Sequence, residues 1–154
     1  MRHFKFTLLI VSASLISVFA VPKEKGDRVI PDYLRAPLKD LHDECVEESK
    51  VDTKLLEKCL DREVPDIREV KCYIDCLLRK SMVYDDNGSV DFKRVRYVVP
   101  NDVYYILDHL QKECGHINEP DGCETAYKSA KCFFDAHEAT LEFCHLLVFD
   151  YKFD

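Results

Sequence analysis

Apolar side chains recur at intervals of three and four residues along most of the chain, a period typical of amphipathic α-helices. Six stretches show this period, each separated from the next by turn-forming or helix-capping residues. In chain order the repeating positions are Leu34, Leu38, Leu41 and Cys45; Leu55, Leu56, Cys59 and Leu60; Ile67, Val70, Ile74, Leu77 and Leu78; Phe92, Val95 and Val99; Val103, Ile106, Leu107, Leu110 and Cys114; and Cys123, Ala126, Tyr127, Ala130, Phe133 and Phe134. The pattern predicts an all-α fold of six helices.

Residues with strong capping or turn preferences set the limits of these helices. Asp52 is a good N-cap for the second helix, and Pro65-Asp66 opens the third, which a polar turn over residues 85–89 ends. Asn101, after a proline, is expected to cap the fifth helix. Residues 90–99 fit a helix or a strand, and we favour a helix because an isolated strand would have no pairing partner.

The two ends of the chain differ from the middle. Residues 1–20 have a short basic start, an apolar run, and Val18 and Ala20 at the −3 and −1 positions of a cleavage site, which is the pattern of a signal peptide. The apolar run is about 14 residues, and crossing a bilayer takes roughly 20. We therefore expect secretion without membrane insertion, a flexible lead-in over residues 21–31, and a helical domain over 32–154 with an additional apolar C-terminal segment.

Composition narrows the functional classes. The 154 residues carry a net charge of −7, which argues against a binder of nucleic acid, and only 4 glycines, which argues against a glycine-rich phosphate loop. The 8 cysteines of a secreted chain indicate four disulfides, although composition leaves 105 pairings open. Cys72 and Cys76 lie on adjacent turns of one helix, so a bond between them would constrain little, and bonds to other helices would staple three elements together.

Six of the cysteines follow a characteristic spacing. Taken from Cys45 to Cys132 it reads C-x26-C-x3-C-x37-C-x8-C-x8-C, with an Asp-Asn-Gly turn at residues 86–88 after the third helix. This spacing resembles the six-cysteine signature of the insect odorant-binding proteins, the pheromone-binding and general-odorant-binding family. The x3 and final x8 intervals are its most specific parts, and the resemblance covers nearly all of the mature chain.

The resemblance implies six α-helices around a buried apolar cavity, with interlocked disulfides joining the first cysteine to the third, the second to the fifth and the fourth to the sixth. On the matching positions these pairs are Cys45–Cys76, Cys72–Cys123 and Cys114–Cys132. The chain departs from the family pattern by two further cysteines, Cys59 and Cys144, which are then expected to pair with each other and to tie the C-terminal segment to the second helix.

The resemblance also implies a secreted carrier of small hydrophobic molecules, such as an odorant, a pheromone or a fatty-acid-like compound. The alternative is a secreted helical interaction protein with a filled core that acts through its surface. For a carrier, the expected wall residues are Ile74, Leu77, Leu78, Val95, Val99, Ile106, Leu107, Leu110, Phe133, Phe134, Val148 and Phe149.

Other chemistry finds little support in the sequence. The Cys72-x3-Cys76 spacing is not that of a zinc knuckle, no G-x-S-x-G motif is present, and His137-Glu138 lacks a second histidine four residues on. We therefore expect no enzyme activity, no metal and no cofactor. The sequence Asn87-Gly88-Ser89 makes Asn87 a candidate N-glycosylation site, and the alternative is an ordinary Asn-Gly turn.

Overall fold

The computed structural model describes residues 35–147, with side chains over 36–144. The expected signal peptide over 1–20, the lead-in over 21–31, and the candidate wall residues Val148 and Phe149 lie outside the described residues.

The described part of the chain is all-α, as the apolar pattern predicts, and contains seven α-helices without a β-strand. The seventh helix is a short one in the apolar C-terminal segment, beyond the six that the sequence predicts. The helices are α1 (Arg35–Ser49), α2 (Thr53–Leu56), α3 (Arg68–Lys80), α4 (Phe92–Val95), α5 (Tyr104–Cys114), α6 (Gly122–Ala136) and α7 (Glu142–Leu147). Three 3-10 helices lie among them, at Glu57–Asp61, Asn101–Val103 and Glu138–Leu141.

Aspartate side chains begin three of these helices. Asp52 accepts the backbone N–H of Lys54 at 3.0 Å at the start of α2, as expected from the sequence. Asp91 and Asp121 do the same for α4 and α6. The expected cap at Asn101 is wrong, because this residue lies inside the 3-10 helix that leads directly into α5, and no side chain caps α5.

Four disulfides hold the helices together. Their pairs are Cys45–Cys76, Cys72–Cys123, Cys114–Cys132 and Cys59–Cys144. The first two attach α3 to α1 and to α6, and the third attaches α6 to α5. The fourth attaches α7 to the 3-10 helix Glu57–Asp61. Helices α3 and α6 thus form the centre of the fold, because every disulfide except the last has a cysteine on one of them.

Buried polar contacts add to this central packing. Lys71 of α3 is only 8 % exposed, and its Nζ lies 2.5 Å from an Asp66 carboxylate oxygen and 2.6 Å from Glu124 of α6. Hydrogen bonds to Asp66 and then Glu124 raise the pKa of Lys71, so the ammonium form is favoured. On the α1 side, His42 and Tyr73 share a buried hydrogen bond of 2.6 Å.

The turn between α3 and α4 is closed by its own first residue. A carboxylate oxygen of Asp85 accepts the N–H groups of Asn87 at 2.8 Å and Ser89 at 3.0 Å. Gly88 has a φ of 81°, a conformation that favours glycine. Asn87 is exposed at the tip of this turn. Its side chain is therefore accessible to a glycosylating enzyme and leaves space for an attached sugar.

We propose that Asn87 carries an N-linked glycan when the protein is secreted, since it lies in the chain's single Asn-x-Ser/Thr motif. Protein secreted from insect cells should lose mass on treatment with peptide N-glycosidase F. The variants Asn87→Gln and Ser89→Ala should show no such loss, and Ser89→Thr should retain it. An unmodified intact mass for the secreted wild type would contradict the proposal.

The Cys59–Cys144 bond has a local effect that hydrogen exchange can measure. Helix α7 has six residues, too few to be stable alone, and it packs on α1 and on the 3-10 helices at 57–61 and 138–141. In the variant Cys59→Ser with Cys144→Ser, amides of 142–147 should lose protection, and those of α3 should keep theirs. Unchanged protection over 142–147 would show that packing alone holds α7.

Candidate ligand-binding cavity

A cavity of about 530 Å³ lies among the helices. Residues from all seven α-helices of the described chain form its wall, together with the 3-10 helix Glu57–Asp61, the loop after it and the loop after α3. Nearly all of them are aliphatic, aromatic or proline residues. The polar side chains among the described lining residues are those of Glu63, Lys80 and Ser81.

Helical periodicity brings the central wall residues to one surface. On α3, Val70, Ile74, Leu77 and Leu78 lie at i, i+4, i+7 and i+8, so their side chains form a single stripe that faces the cavity. Leu107 and Leu110 of α5 and Ala130, Phe133 and Phe134 of α6 are placed by the same three- and four-residue spacing. The stripes that pack the core therefore also line its hollow part.

Nine of the twelve candidate wall residues line this cavity. They are Ile74, Leu77, Leu78, Val95, Val99, Leu107, Leu110, Phe133 and Phe134. Ile106 does not. It packs with Phe92, Val103 and Leu110 and borders a separate void of about 20 Å³ beside the 3-10 helix Glu138–Leu141. Neighbouring residues on a helix point about 100° apart, so Leu107 reaches the larger cavity and Ile106 does not, although both border the small void.

The wall also includes residues that the sequence analysis did not select. Those on helical stripes are Leu38, Leu41, Leu55, Leu56 and Phe92, and those on loops or short segments include Val64, Met82, Val83, Val90 and Val98. The residues of the first group could have been predicted as wall residues, because each belongs to an apolar stripe that is visible in the sequence. The second group lies in segments without periodicity, so only the fold brings these residues to the cavity.

Phe143 gives the C-terminal segment a share of the wall. It lines the cavity and directly precedes Cys144, whose disulfide partner Cys59 also lines it. Elsewhere in the wall, the rings of Phe92 and Phe133 meet edge to face, with centroids 6.0 Å apart. Covalent attachment and aromatic packing together fix the position of the wall contributed by α4, α6 and α7.

The polar side chains of the wall either form polar contacts within the protein or are exposed to solvent. The Lys80 ammonium lies 2.8 Å from Glu44 and 3.3 Å from Glu48, both on α1. Hydrogen bonds to Glu44 and then Glu48 raise the pKa of Lys80. The Ser81 hydroxyl donates to the backbone carbonyl of Leu78 at 3.2 Å, and Glu63 is exposed. The cavity therefore presents hydrocarbon surface rather than reactive groups.

Over residues 35–147, no group of three or more His, Cys, Asp or Glu side chains is arranged to hold a metal ion. No helix in the same range is long and apolar enough to span a membrane.

Comparison with known proteins agrees with the fold and the disulfides. The PBP/GOBP family matches residues 30–136. General odorant-binding protein 69a of Drosophila melanogaster is 26 % identical over 133 residues, which is 86 % of each chain. Odorant Binding Protein 7 from Anopheles gambiae, solved with four disulfide bridges in complex with an azo compound, is 47 % identical with a TM-score of 0.72. That match covers 77 % of this chain and 98 % of the Anopheles chain.

A more distant structure has the same architecture. The medfly odorant-binding protein CcapOBP22/CcapOBP69a is 26 % identical, with a TM-score of 0.63 over 70 % of this chain and 93 % of its own. The helical fold, the cysteine pairs and these similarities agree with one another. The chain therefore belongs to the PBP/GOBP family of insect odorant-binding proteins, which are small-molecule carriers and not enzymes.

Proposed function

We propose that this protein is a secreted carrier that binds one small hydrophobic molecule, of the odorant, pheromone or fatty-acid-like kind, in the cavity lined by α1 to α7. The observation that carries the proposal is a wall of aliphatic and aromatic side chains around about 530 Å³. Sites for small ligands typically measure about 300–1,000 Å³ and are mostly apolar. The cavity has a volume within this range and a mostly apolar wall.

Burial of apolar surface supplies the binding free energy. Each square ångström removed from water contributes roughly 25 cal/mol, so a ligand that buries about 300 Å² gains some 7 kcal/mol before the cost of association. Taken alone, a gain of this size would correspond to a Kd of roughly 10 μM, and the cost of association weakens the affinity from there. Such affinity suits a carrier, because the ligand is retained in transit and is still released on dilution.

The similarity to the Anopheles protein supports a ligand site in this chain. That protein was solved in complex with an azo compound, and 47 % of the aligned residues are identical. Membership of a family whose members are secreted supports secretion, which the signal-peptide pattern of residues 1–20 predicts. The alternative of a filled core acting through its surface has less support, because a filled core would not leave a void of this volume.

Binding of an uncharged fluorescent probe tests the proposal directly. Titration with N-phenyl-1-naphthylamine should saturate at about one probe per chain, and small apolar competitors should displace it. Native mass spectrometry of protein purified from its source should show a bound mass that denaturation removes. Absence of saturable uptake by correctly disulfide-bonded protein would favour the interaction-protein alternative.

Leu107 and Ile106 form a matched pair for testing the wall. They are adjacent on α5 and are 5 % and 6 % exposed, and only Leu107 lines the larger cavity. Each change to alanine should destabilise the fold by about 2–5 kcal/mol. Leu107→Ala should also weaken probe binding about tenfold, because the ligand loses one or two methylene-sized contacts worth ~0.8 kcal/mol each.

Folded material of both variants is needed for this comparison, so affinity is measured after circular dichroism shows native helicity. Ile106→Ala should bind the probe with nearly the affinity of the wild type. Equal affinities for the two variants would remove Leu107 from the ligand wall.

A further inference from the structure

The wall of the cavity offers few hydrogen-bond donors to a charged ligand. Among the described lining residues, the polar side chains are Glu63, Lys80 and Ser81. The Ser81 hydroxyl donates its hydrogen bond to the backbone carbonyl of Leu78, and the Glu63 carboxylate, when ionised, only accepts hydrogen bonds. A carboxylate held deep among the apolar side chains would therefore be buried without a partner, which is strongly unfavourable.

Lys80 is the cationic side chain among these lining residues, and two carboxylates already neutralise it. Its ammonium contacts Glu44 at 2.8 Å and Glu48 at 3.3 Å. Glu48 is also within 3.1 Å of Arg79, which in turn pairs with Asp75. Two cations thus face three carboxylates, and Glu63 adds a fourth at the cavity. An anionic head group at this edge would have to displace a glutamate from Lys80.

From these contacts we propose that the cavity selects uncharged, hydrocarbon-dominated ligands and discriminates against carboxylates of the same chain length, with Glu44 and Glu48 enforcing the discrimination by occupying Lys80. This inference rests on the proposed carrier function and narrows its ligand class. Of the expected ligands, fatty acids in their ionised form are disfavoured, and neutral esters, ketones and hydrocarbons are favoured.

Dodecanoate and methyl dodecanoate make a suitable test pair, because they differ by one methyl group and by the charge. Each is titrated at pH 7.4 against protein loaded with N-phenyl-1-naphthylamine. We expect the ester to displace the probe with at least tenfold higher affinity than the acid. Equal or tighter binding of dodecanoate would overturn the proposal. Failure of the probe itself to bind would instead count against the carrier function.

A double variant tests the role given to the two glutamates. Glu44→Gln with Glu48→Gln leaves Lys80 without carboxylate partners, and both positions are exposed on α1, so the fold should be retained. Dodecanoate affinity should rise at least threefold, and that of the ester should stay unchanged. Glu47→Gln is the control, because Glu47 is exposed on the same helix and is not among the Lys80 pairs. No change in dodecanoate affinity in the double variant would overturn the assignment to Glu44 and Glu48.

Discussion

The covalent attachment of α3 on two sides is the constraint on which the cavity depends. Cys72 and Cys76 lie one helical turn apart, and their partners Cys123 and Cys45 lie on α6 and α1. A core with a void of about 530 Å³ lacks many of the contacts that stabilise a solid one. Disulfides that close loops of this kind contribute about 3–5 kcal/mol each, in the chain-entropy account, by restricting the unfolded chain. The crosslinks therefore stabilise a fold whose centre stays open.

The position of each helix relative to the cavity follows from these attachments. The stripe of α3 that begins at Val70 faces the void, and Cys72, Lys71 and Tyr73 on its other sides hold the neighbouring helices. Because the polar and covalent contacts lie away from this stripe, the wall can remain apolar. Lys80, at the end of α3, lies where the apolar stripe meets the polar contacts, since it lines the cavity and also pairs with glutamates of α1.

Periodicity in the sequence was sufficient to predict six of the seven α-helices of residues 35–147, but not the hollow that they surround. Ile106 and Leu107 are equally buried and equally apolar, and only the crossing of α5 with its neighbours decides which one meets the void. Met82 and Val83 follow the end of α3 without any period, so their place in the wall depends on tertiary structure. Asn101 has a capping residue's chemistry, but a 3-10 turn occupies the position that it was expected to cap.

The Cys59–Cys144 bond links the completeness of the cavity to the compartment in which the protein resides. Both Cys59 and Phe143, the neighbour of Cys144, belong to the wall, and the two bonded cysteines are 85 residues apart in the sequence. Thiols stay reduced in the cytosol and are oxidised along the secretory route. In a secreted chain, this part of the wall is therefore fixed only after the protein has left the compartment that holds the cell's own metabolites. For a chain on the secretory route, oxidation of these two thiols would thus complete this part of the cavity wall.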